Sequence, residues 1–121
     1  MPGLGVVDLV RDGVVLAYDD AGSGYPPAVF VHRAACDRRC WNQQVPRFSS
    51  DHRVVAVDLR GHGASDAPSE RYTVRLFADD LASTCTPLGI ESPVVIGHSL
   101  GGLVALDFAS AYSGHTLALR Y

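Results

Sequence analysis

Short apolar segments alternate with turn residues through the first half of the chain, which is the pattern of β-strands. Residues 6–10 and 14–18 are two such segments, and the Arg-Asp-Gly turn at residues 11–13 between them predicts a β-hairpin. Two further strands are predicted at residues 28–31 and 53–58. Their continuous apolar runs are typical of a parallel sheet that is covered on both faces.

Three segments have the residue types and spacing of helices. Residues 37–45 predict a short helix that Pro46 ends. Residues 73–81 carry apolar side chains at helical spacing, and a longer helix is predicted over residues 100–112. We expect this last helix to be largely buried, because apolar side chains cover much of its surface: Leu103, Val104, Leu106, Phe108 and Ala109.

The order of these elements predicts an α/β fold. Strands alternate with helices after an initial hairpin, so the sheet should be mostly parallel. The chain has 121 residues, of which 47% are hydrophobic and 19% are charged. This size and composition are those of one globular domain with a core of its own, and we interpret residues 1–121 as a single domain.

The strongest chemical signal is a transition from strand to helix late in the chain. Residues 94–96 form an apolar run, Gly-His-Ser-Leu-Gly follows at residues 97–101, and the last predicted helix comes next. A Gly-x-Ser-x-Gly pattern in this setting predicts a nucleophile elbow, in which the serine hydroxyl is exposed at a sharp turn. The glycines Gly97 and Gly101 lack Cβ atoms, which lets the strand and the helix approach closely. Ser99 is therefore the candidate nucleophile.

Two further motifs precede the elbow. Asp-Leu-Arg-Gly-His-Gly-Ala-Ser-Asp at residues 58–66 directly follows an apolar strand, and Val-His-Arg-Ala-Ala at residues 31–35 has Trp41 downstream. With the elbow, these segments make the chain similar to the α/β-hydrolase family, especially its small esterase, lactonase and haloperoxidase-like members. The resemblance runs from about residue 6 to residue 112.

The resemblance implies a role for each motif. Ser99 would be the nucleophile, and the backbone amides of Ala34 and Leu100 would form the oxyanion hole. The segment at residues 58–66 would be mainly structural, with Asp58, Arg60 and His62 making hydrogen bonds within their loop. Arg33 stands where the family often has glycine, and glycine permits backbone angles that arginine resists. We therefore expect a distorted oxyanion loop.

A serine hydrolase of this family places its acid and its histidine base after the serine. Here only Asp107 and His115 follow Ser99. The helix predicted over residues 100–112 carries the chain roughly 18–20 Å from the elbow, at about 1.5 Å per residue. His115 follows this helix, so it is not expected to serve as the base. His98 should point away from Ser99, and Asp107 should face solvent. We therefore expect the N-terminal portion of an α/β-hydrolase fold, and a poorly active isolated chain.

Two functions from different classes remain open on this basis. The first is serine-dependent hydrolysis of small-molecule carboxylic esters or lactones. The second is a non-catalytic binding or interaction domain that retains the elbow as architecture. Haloalkane dehalogenases and epoxide hydrolases also resemble the chain, but they use aspartate at the elbow, so Ser99 disfavours them.

Composition narrows the range of partners. The net charge of −3 argues against a nucleic-acid partner. No apolar run approaches the roughly 20 residues that a membrane span requires, and the first residues lack the pattern of a signal peptide. Unless residues 116–120 add a strand, the elbow strand would lie at an open sheet edge, so self-association is expected.

The three cysteines are an odd number, which argues against a full disulfide framework and favours a reducing, cytoplasmic setting. His32, Cys36 and Cys40 have a regular spacing, but His32 ends a predicted strand. Free, partly buried thiols are therefore favoured over a zinc site. We predict no metal and no cofactor.

Overall fold

A six-stranded mixed sheet forms the centre of the protein, in a computed structural model that describes residues 7–115 and 118–120. The spatial order of the strands is β1-β2-β4-β3-β5-β6. The strands are β1 Val7–Arg11, β2 Val14–Ala21, β3 Ala28–Val31, β4 Val54–Val57, β5 Val94–Gly97 and β6 Ala118–Arg120. The helices are α1 Gln44–Phe48, α2 Val74–Cys85 and α3 Leu100–Ala111, with short 3₁₀ helices at Arg38–Trp41 and Ser113–His115.

The strand directions confirm the predicted α/β fold. β1 and β2 form the N-terminal hairpin, and β2 also pairs antiparallel with β4. The strands β4, β3, β5 and β6 are mutually parallel. Val31 at the end of β3 is in register with Val57 of β4 and with Gly97 of β5. The carboxyl ends of these three strands therefore meet at one edge of the sheet.

Each face of the parallel part of the sheet is buried by different elements. Alternate residues of β3, β4 and β5 pack against α2 and α3 in a core that includes Val29, Val55, Val95, Leu81 and Phe108. The opposite face packs against α1 and the first 3₁₀ helix, where the ring centroids of Phe30 and Trp41 are 5.0 Å apart. Burial on both faces explains the continuous apolar runs of these strands.

The helix predicted over residues 37–45 is replaced by two short elements. Asp37 caps the 3₁₀ helix Arg38–Trp41, accepting a hydrogen bond from the Arg39 amide, and α1 follows after a break. Pro46 lies inside α1, so the prediction that it ends a helix is wrong. It is the third residue of α1, and backbone N–H groups of a first turn have no intrahelical acceptor, so proline costs little there.

The predicted burial of α3 is only partly correct. Val104 and Phe108 lie against the sheet with at most 2% of their surface exposed, whereas Leu103 is 55% exposed and Leu106 is 39% exposed. The helix packs one side onto the sheet and α2, and no other described element covers its outer side. Its all-round apolar sequence therefore leaves two leucines at the surface.

Of the two alternatives for the tail, the structure has the one in which it adds a strand, since β6 pairs in parallel with β5. Thr116 and Leu117 lie outside the described residues. Because β6 covers the outer side of β5, the elbow strand does not lie at the sheet edge, and the outermost described strand on this side is β6.

Two of the three cysteines are bonded. Cys36 and Cys40 form a disulfide with their Cα atoms 6.6 Å apart, so the interpretation of both as free thiols is wrong. Cys85 is free and buried, and burial raises the pKa of its thiol to about 12. None of the described helices combines the length and apolar character needed to cross a membrane.

Candidate active site

Ser99 lies at the sharp turn between β5 and α3, as the sequence predicts for a nucleophile elbow. Its backbone has φ +56° and ψ −113°, a conformation that residues other than glycine rarely adopt. The residue is exposed, and its carbonyl accepts hydrogen bonds from Gly102 (2.8 Å) and Leu103 (3.2 Å). These bonds start the helix immediately after the serine, so the Ser99 side chain projects from a fixed turn.

Close packing makes glycine necessary on both sides of the serine. A Cβ atom on Gly97 would overlap the carbonyl of Gly101, and a Cβ on Gly101 would overlap the carbonyls of Val31 and His32. The first turn of α3 therefore rests directly on the ends of β3 and β5. This contact is the physical reason for the Gly-x-Ser-x-Gly pattern.

The Leu100 amide is positioned for a candidate oxyanion hole. Leu100 is the first residue of α3, where the N–H has no intrahelical acceptor and the helix contributes positive potential. An anion that develops beside Ser99 would therefore meet a backbone donor and a favourable dipole.

The loop after β3 is held in place by a buried histidine. His32 is fully buried, and its Nε2 accepts a hydrogen bond from the Leu59 N–H at 3.0 Å. Its Nδ1 must then carry the proton, which it donates to the Arg33 carbonyl at 2.7 Å. Burial lowers the pKa of His32, which favours this neutral form. The sequence motif included His32, but sequence reasoning did not identify its role in linking two loops.

Ala34, the second candidate donor, is exposed in this same loop. The elbow contacts the end of β3, where this loop begins, because the His98 amide donates to the Val31 carbonyl at 3.1 Å. The structure therefore brings the segments of Ala34, Ser99 and Leu100 to one edge of the sheet. The following residue, Ala35, has φ +58°, which turns the chain sharply after Ala34.

Asp58 organises the loop that follows β4. One carboxylate oxygen accepts the Arg38 amide at 2.7 Å, and the other accepts the Ala64 amide at 2.8 Å and pairs with the Arg38 guanidinium. The Ser65 hydroxyl donates to the Asp58 carbonyl at 2.7 Å and accepts the Ala17 amide at 2.8 Å. The hydrogen bonds expected within this segment are confirmed for Asp58, and further bonds join the segment to β2 and to the first 3₁₀ helix. The Arg60 guanidinium differs from the expectation, because its partners lie outside residues 58–66.

Arg60, also in this loop, is buried and forms ion pairs with two carboxylates. Its guanidinium makes two bonds of 2.9 Å to Asp80 of α2 and one of 2.7 Å to Glu70, and Arg11 of β1 adds a further bond to Asp80. The carboxylates raise the pKa of Arg60 above its already high value. Nothing in the sequence pattern paired Arg60 with Asp80, since they are brought together only by the fold.

His62 completes the contacts of this loop. Its Nδ1 lies 3.0 Å from the Arg60 carbonyl, and its ring is 5.0 Å from the ring of His32. Through this contact the two loops after β3 and β4 pack against each other beside the elbow.

The acid and histidine candidates nearest to Ser99 in the sequence have other contacts or positions in the described residues. Asp107 is paired with Arg75 of α2 through a bond of 2.6 Å, which lowers the pKa of Asp107 and commits the carboxylate to a surface ion pair. The backbone of His115 lies beyond the far end of α3, and its side chain is outside the described part. Within residues 7–115, no hydrogen bond joins the His98 ring to Ser99.

Cys36, Cys40 and His32, the three residues considered as metal ligands, are bonded to other groups. The sulfurs of Cys36 and Cys40 are bonded to each other, and both ring nitrogens of His32 are hydrogen-bonded. Within the described ranges, no group of three His, Cys, Asp or Glu residues is placed to hold a metal ion.

Comparisons with known proteins agree with this geometry. Residues 27–119 match the family model of the alpha/beta hydrolase fold. Epoxide hydrolase 3 of Mus musculus is 37% identical over 103 residues, which are 83% of this chain and 28% of that protein.

Two solved structures have the same fold over nearly the whole chain. Est816, described as an N-acyl homoserine lactone degrading enzyme, matches with a TM-score of 0.91 and 30% identity over 93% of this chain and 43% of its own. Epoxide hydrolase CorEH matches with a TM-score of 0.91 and 32% identity over 95% of this chain and 40% of its own. The chain thus spans less than half the length of each of these three proteins.

Proposed function

The chain belongs to the α/β-hydrolase fold family, and on that premise we propose that it carries the nucleophile of a hydrolase for small-molecule carboxylic esters or lactones. The observation that carries this proposal is Ser99 itself. Its side chain is exposed, and its backbone has φ +56° at the turn between β5 and α3. It directly precedes the Leu100 amide, which has no intrahelical acceptor.

The proposed reaction is an acyl transfer to the serine. The Ser99 hydroxyl oxygen attacks the carbonyl carbon, and the amides of Leu100 and Ala34 stabilise the negative charge that forms on the carbonyl oxygen. The alcohol portion then leaves, and water releases the acid from the serine. A general base must accept the Ser99 proton, and we place that base and its acid outside the described residues of this chain.

Serine at the elbow distinguishes this proposal from epoxide opening. Epoxide hydrolases are among the relatives, but the chain has a hydroxyl at the elbow position where such enzymes are expected to have a carboxylate. A serine needs a base to become a nucleophile, whereas an ionised carboxylate does not. Est816, described as a lactone-degrading enzyme, has the same fold and agrees with the ester or lactone assignment.

A non-catalytic interaction domain remains the second candidate. It is favoured by the side-chain environment of Ser99, which includes no hydrogen-bonded histidine among the side chains described in residues 8–114. The two candidates differ in whether Ser99 reacts, and this difference can be measured.

The test is covalent labelling of Ser99 by an alkyl fluorophosphonate, followed by mass spectrometry, with hydrolysis of 4-nitrophenyl butyrate measured in parallel. We expect slow labelling at Ser99 and a weak hydrolysis rate, both lost in Ser99→Ala and both retained in Ser110→Ala, which removes an exposed serine of α3. Styrene oxide should not be opened. Equal behaviour of wild type and Ser99→Ala would favour the interaction domain.

The remaining assignments are proposals of the same kind. We take residues 1–121 as a single domain. We propose that copies of the chain associate through the exposed leucines of α3 and the β6 edge. A cytoplasmic location stays a prediction, and the Cys36–Cys40 disulfide weakens the argument for it that was based on free thiols.

A further inference from the structure

Arg33 places a positive charge in the oxyanion loop beside the elbow. Val31 and Gly97 are register partners on the adjacent parallel strands β3 and β5. Arg33 and Ser99 each stand two residues beyond this pair, at the carboxyl edge of the sheet. Neighbouring strands are about 4.8 Å apart, so the Arg33 backbone lies close to the turn that carries Ser99.

The guanidinium of Arg33 makes one hydrogen bond to the Ala34 backbone, and its other N–H groups have no partner among the described residues. One of its N–H groups donates to the Ala34 carbonyl at 3.3 Å, and the residue is exposed. Arginine has five N–H donors, so most of its hydrogen-bonding capacity faces solvent.

The acids in the surrounding loops already have other partners. Asp37 is bound by Arg39, whose hydrogen bonds lower the pKa of Asp37 to about 2, and Asp58 is bound by Arg38. Within residues 7–115, Arg33 forms no ion pair. The charge of Arg33 is therefore left for a group that comes from outside the described residues.

We propose that Arg33 is a specificity-determining residue that favours esters or lactones bearing a carboxylate group. This inference rests on the proposed hydrolase function and deepens it, since it names a substrate class for the same serine. A guanidinium presents a planar pair of donors that matches the two oxygens of a carboxylate. One guanidinium balances one negative charge, which favours a monoanionic carboxylate over a dianionic phosphate.

The experiment compares two probes that react with the serine. Both are 4-nitrophenyl ethyl alkylphosphonates, and their alkyl chains end either in a carboxylate or in its methyl ester. In the reaction the bond from the Ser99 oxygen to phosphorus forms, the bond from phosphorus to the 4-nitrophenolate breaks, and the serine proton passes to solvent. The rate is followed by nitrophenolate absorbance, and the modified residue is identified by mass spectrometry.

We expect the ratio of carboxylate to methyl-ester labelling rates to fall about three- to tenfold in Arg33→Met, which removes the charge and retains much of the side-chain length. Arg33→Lys should keep most of the preference, and the matched control Arg47→Met, an exposed arginine of α1, should leave it unchanged. Raising the salt concentration to about 0.5 M should reduce the wild-type preference, because exposed charges are screened.

Three other outcomes would contradict the specificity inference, and one of them would also contradict the proposed function. If Ser99 is labelled but the ratio is the same in wild type and Arg33→Met, the specificity inference is wrong and the proposed function stands. Equal slowing of both probes in Arg33→Met would show that Arg33 only supports the Ala34 loop, which also overturns the inference. If neither probe labels Ser99, both the proposed function and the inference fail.

Discussion

At the scale of single residues, the elbow depends on the absence of atoms as much as on the serine. The Ser99 conformation is imposed by the packing of α3 on the ends of β3 and β5. Gly97 and Gly101 allow this packing because glycine has no Cβ atom, and neither position has room for one. The exposed, strained serine is thus a consequence of backbone contacts beneath it.

Replacing Gly97 by alanine should destabilise the protein by about 1–3 kcal/mol, because the new methyl group must displace the α3 backbone. The midpoint of urea denaturation measures this change. Gly114→Ala is the matched control, since a Cβ there meets no atom within 4 Å. Equal midpoints for Gly97→Ala and wild type would contradict the close-packing argument.

His32 should make stability depend on pH. Burial lowers its pKa in the folded state below the ordinary 6.5, so the unfolded chain binds more protons as the pH falls through that value. The stabilisation is therefore complete above about pH 6.5 and is lost as the pH decreases through the folded-state pKa.

Urea denaturation at pH 7.5 and at pH 5 tests this dependence. We expect wild type to lose more stability than His32→Gln between the two values, with the exposed His98→Gln behaving like wild type. A pH dependence that is the same in all three proteins would show that other groups cause it.

At the scale of elements, buried charges join segments that would otherwise be separate loops. Asp58 connects the end of β4 to the first 3₁₀ helix through Arg38, and its own side chain is fully buried. The oxyanion loop directly precedes this 3₁₀ helix in the chain, so its position depends on that connection. Conversely, the exposed pair of Asp107 and Arg75 joins α3 to α2 at the surface, where such pairs contribute little.

Asp58→Asn should lower the free energy of unfolding by about 2–3 kcal/mol, because it removes a charged hydrogen bond and leaves the Arg38 charge less compensated. Asp107→Asn, the control at the surface pair, should cost less than about 1 kcal/mol. Chemical denaturation of both variants gives the comparison. A larger effect at Asp107 would mean that burial does not set the strength of these pairs.

At the scale of the whole molecule, the chain contains a complete elbow but no described base for it. We expect the purified chain to hydrolyse 4-nitrophenyl butyrate only weakly, with residual catalysis from the oxyanion donors. Steady-state kinetics of wild type and Ser99→Ala measure this. A fast, saturable rate that Ser99→Ala abolishes would show that a base has been missed.

The exposed leucines of α3 and the outer edge of β6 should also make the chain marginally stable and prone to associate. Sedimentation velocity across a concentration series should show association, and a double Leu103→Lys and Leu106→Lys variant should reduce it. Thermal unfolding provides the second measurement. A monodisperse monomer with a sharp transition at high temperature would contradict this expectation and favour the interaction domain.

The family, the α/β fold and the identity of the candidate nucleophile could be predicted from the sequence. These features depend on local patterns: apolar runs for strands, and glycines at fixed offsets around Ser99 for the turn. The family model and the solved structures confirm the family and the fold. The roles of Ser99, Ala34 and Leu100 stay predictions, since they concern chemistry rather than chain geometry.

Only the tertiary structure decided the partners and the surroundings of several residues. It pairs Arg60 with Asp80, locks His32 between two loops, bonds Cys36 to Cys40, places Pro46 within α1 and leaves Leu103 at the surface. The physical reason is that hydrophobic periodicity reports which side chains avoid water. It does not report which partner each buried polar group finds, or whether a neighbouring element covers a given apolar face.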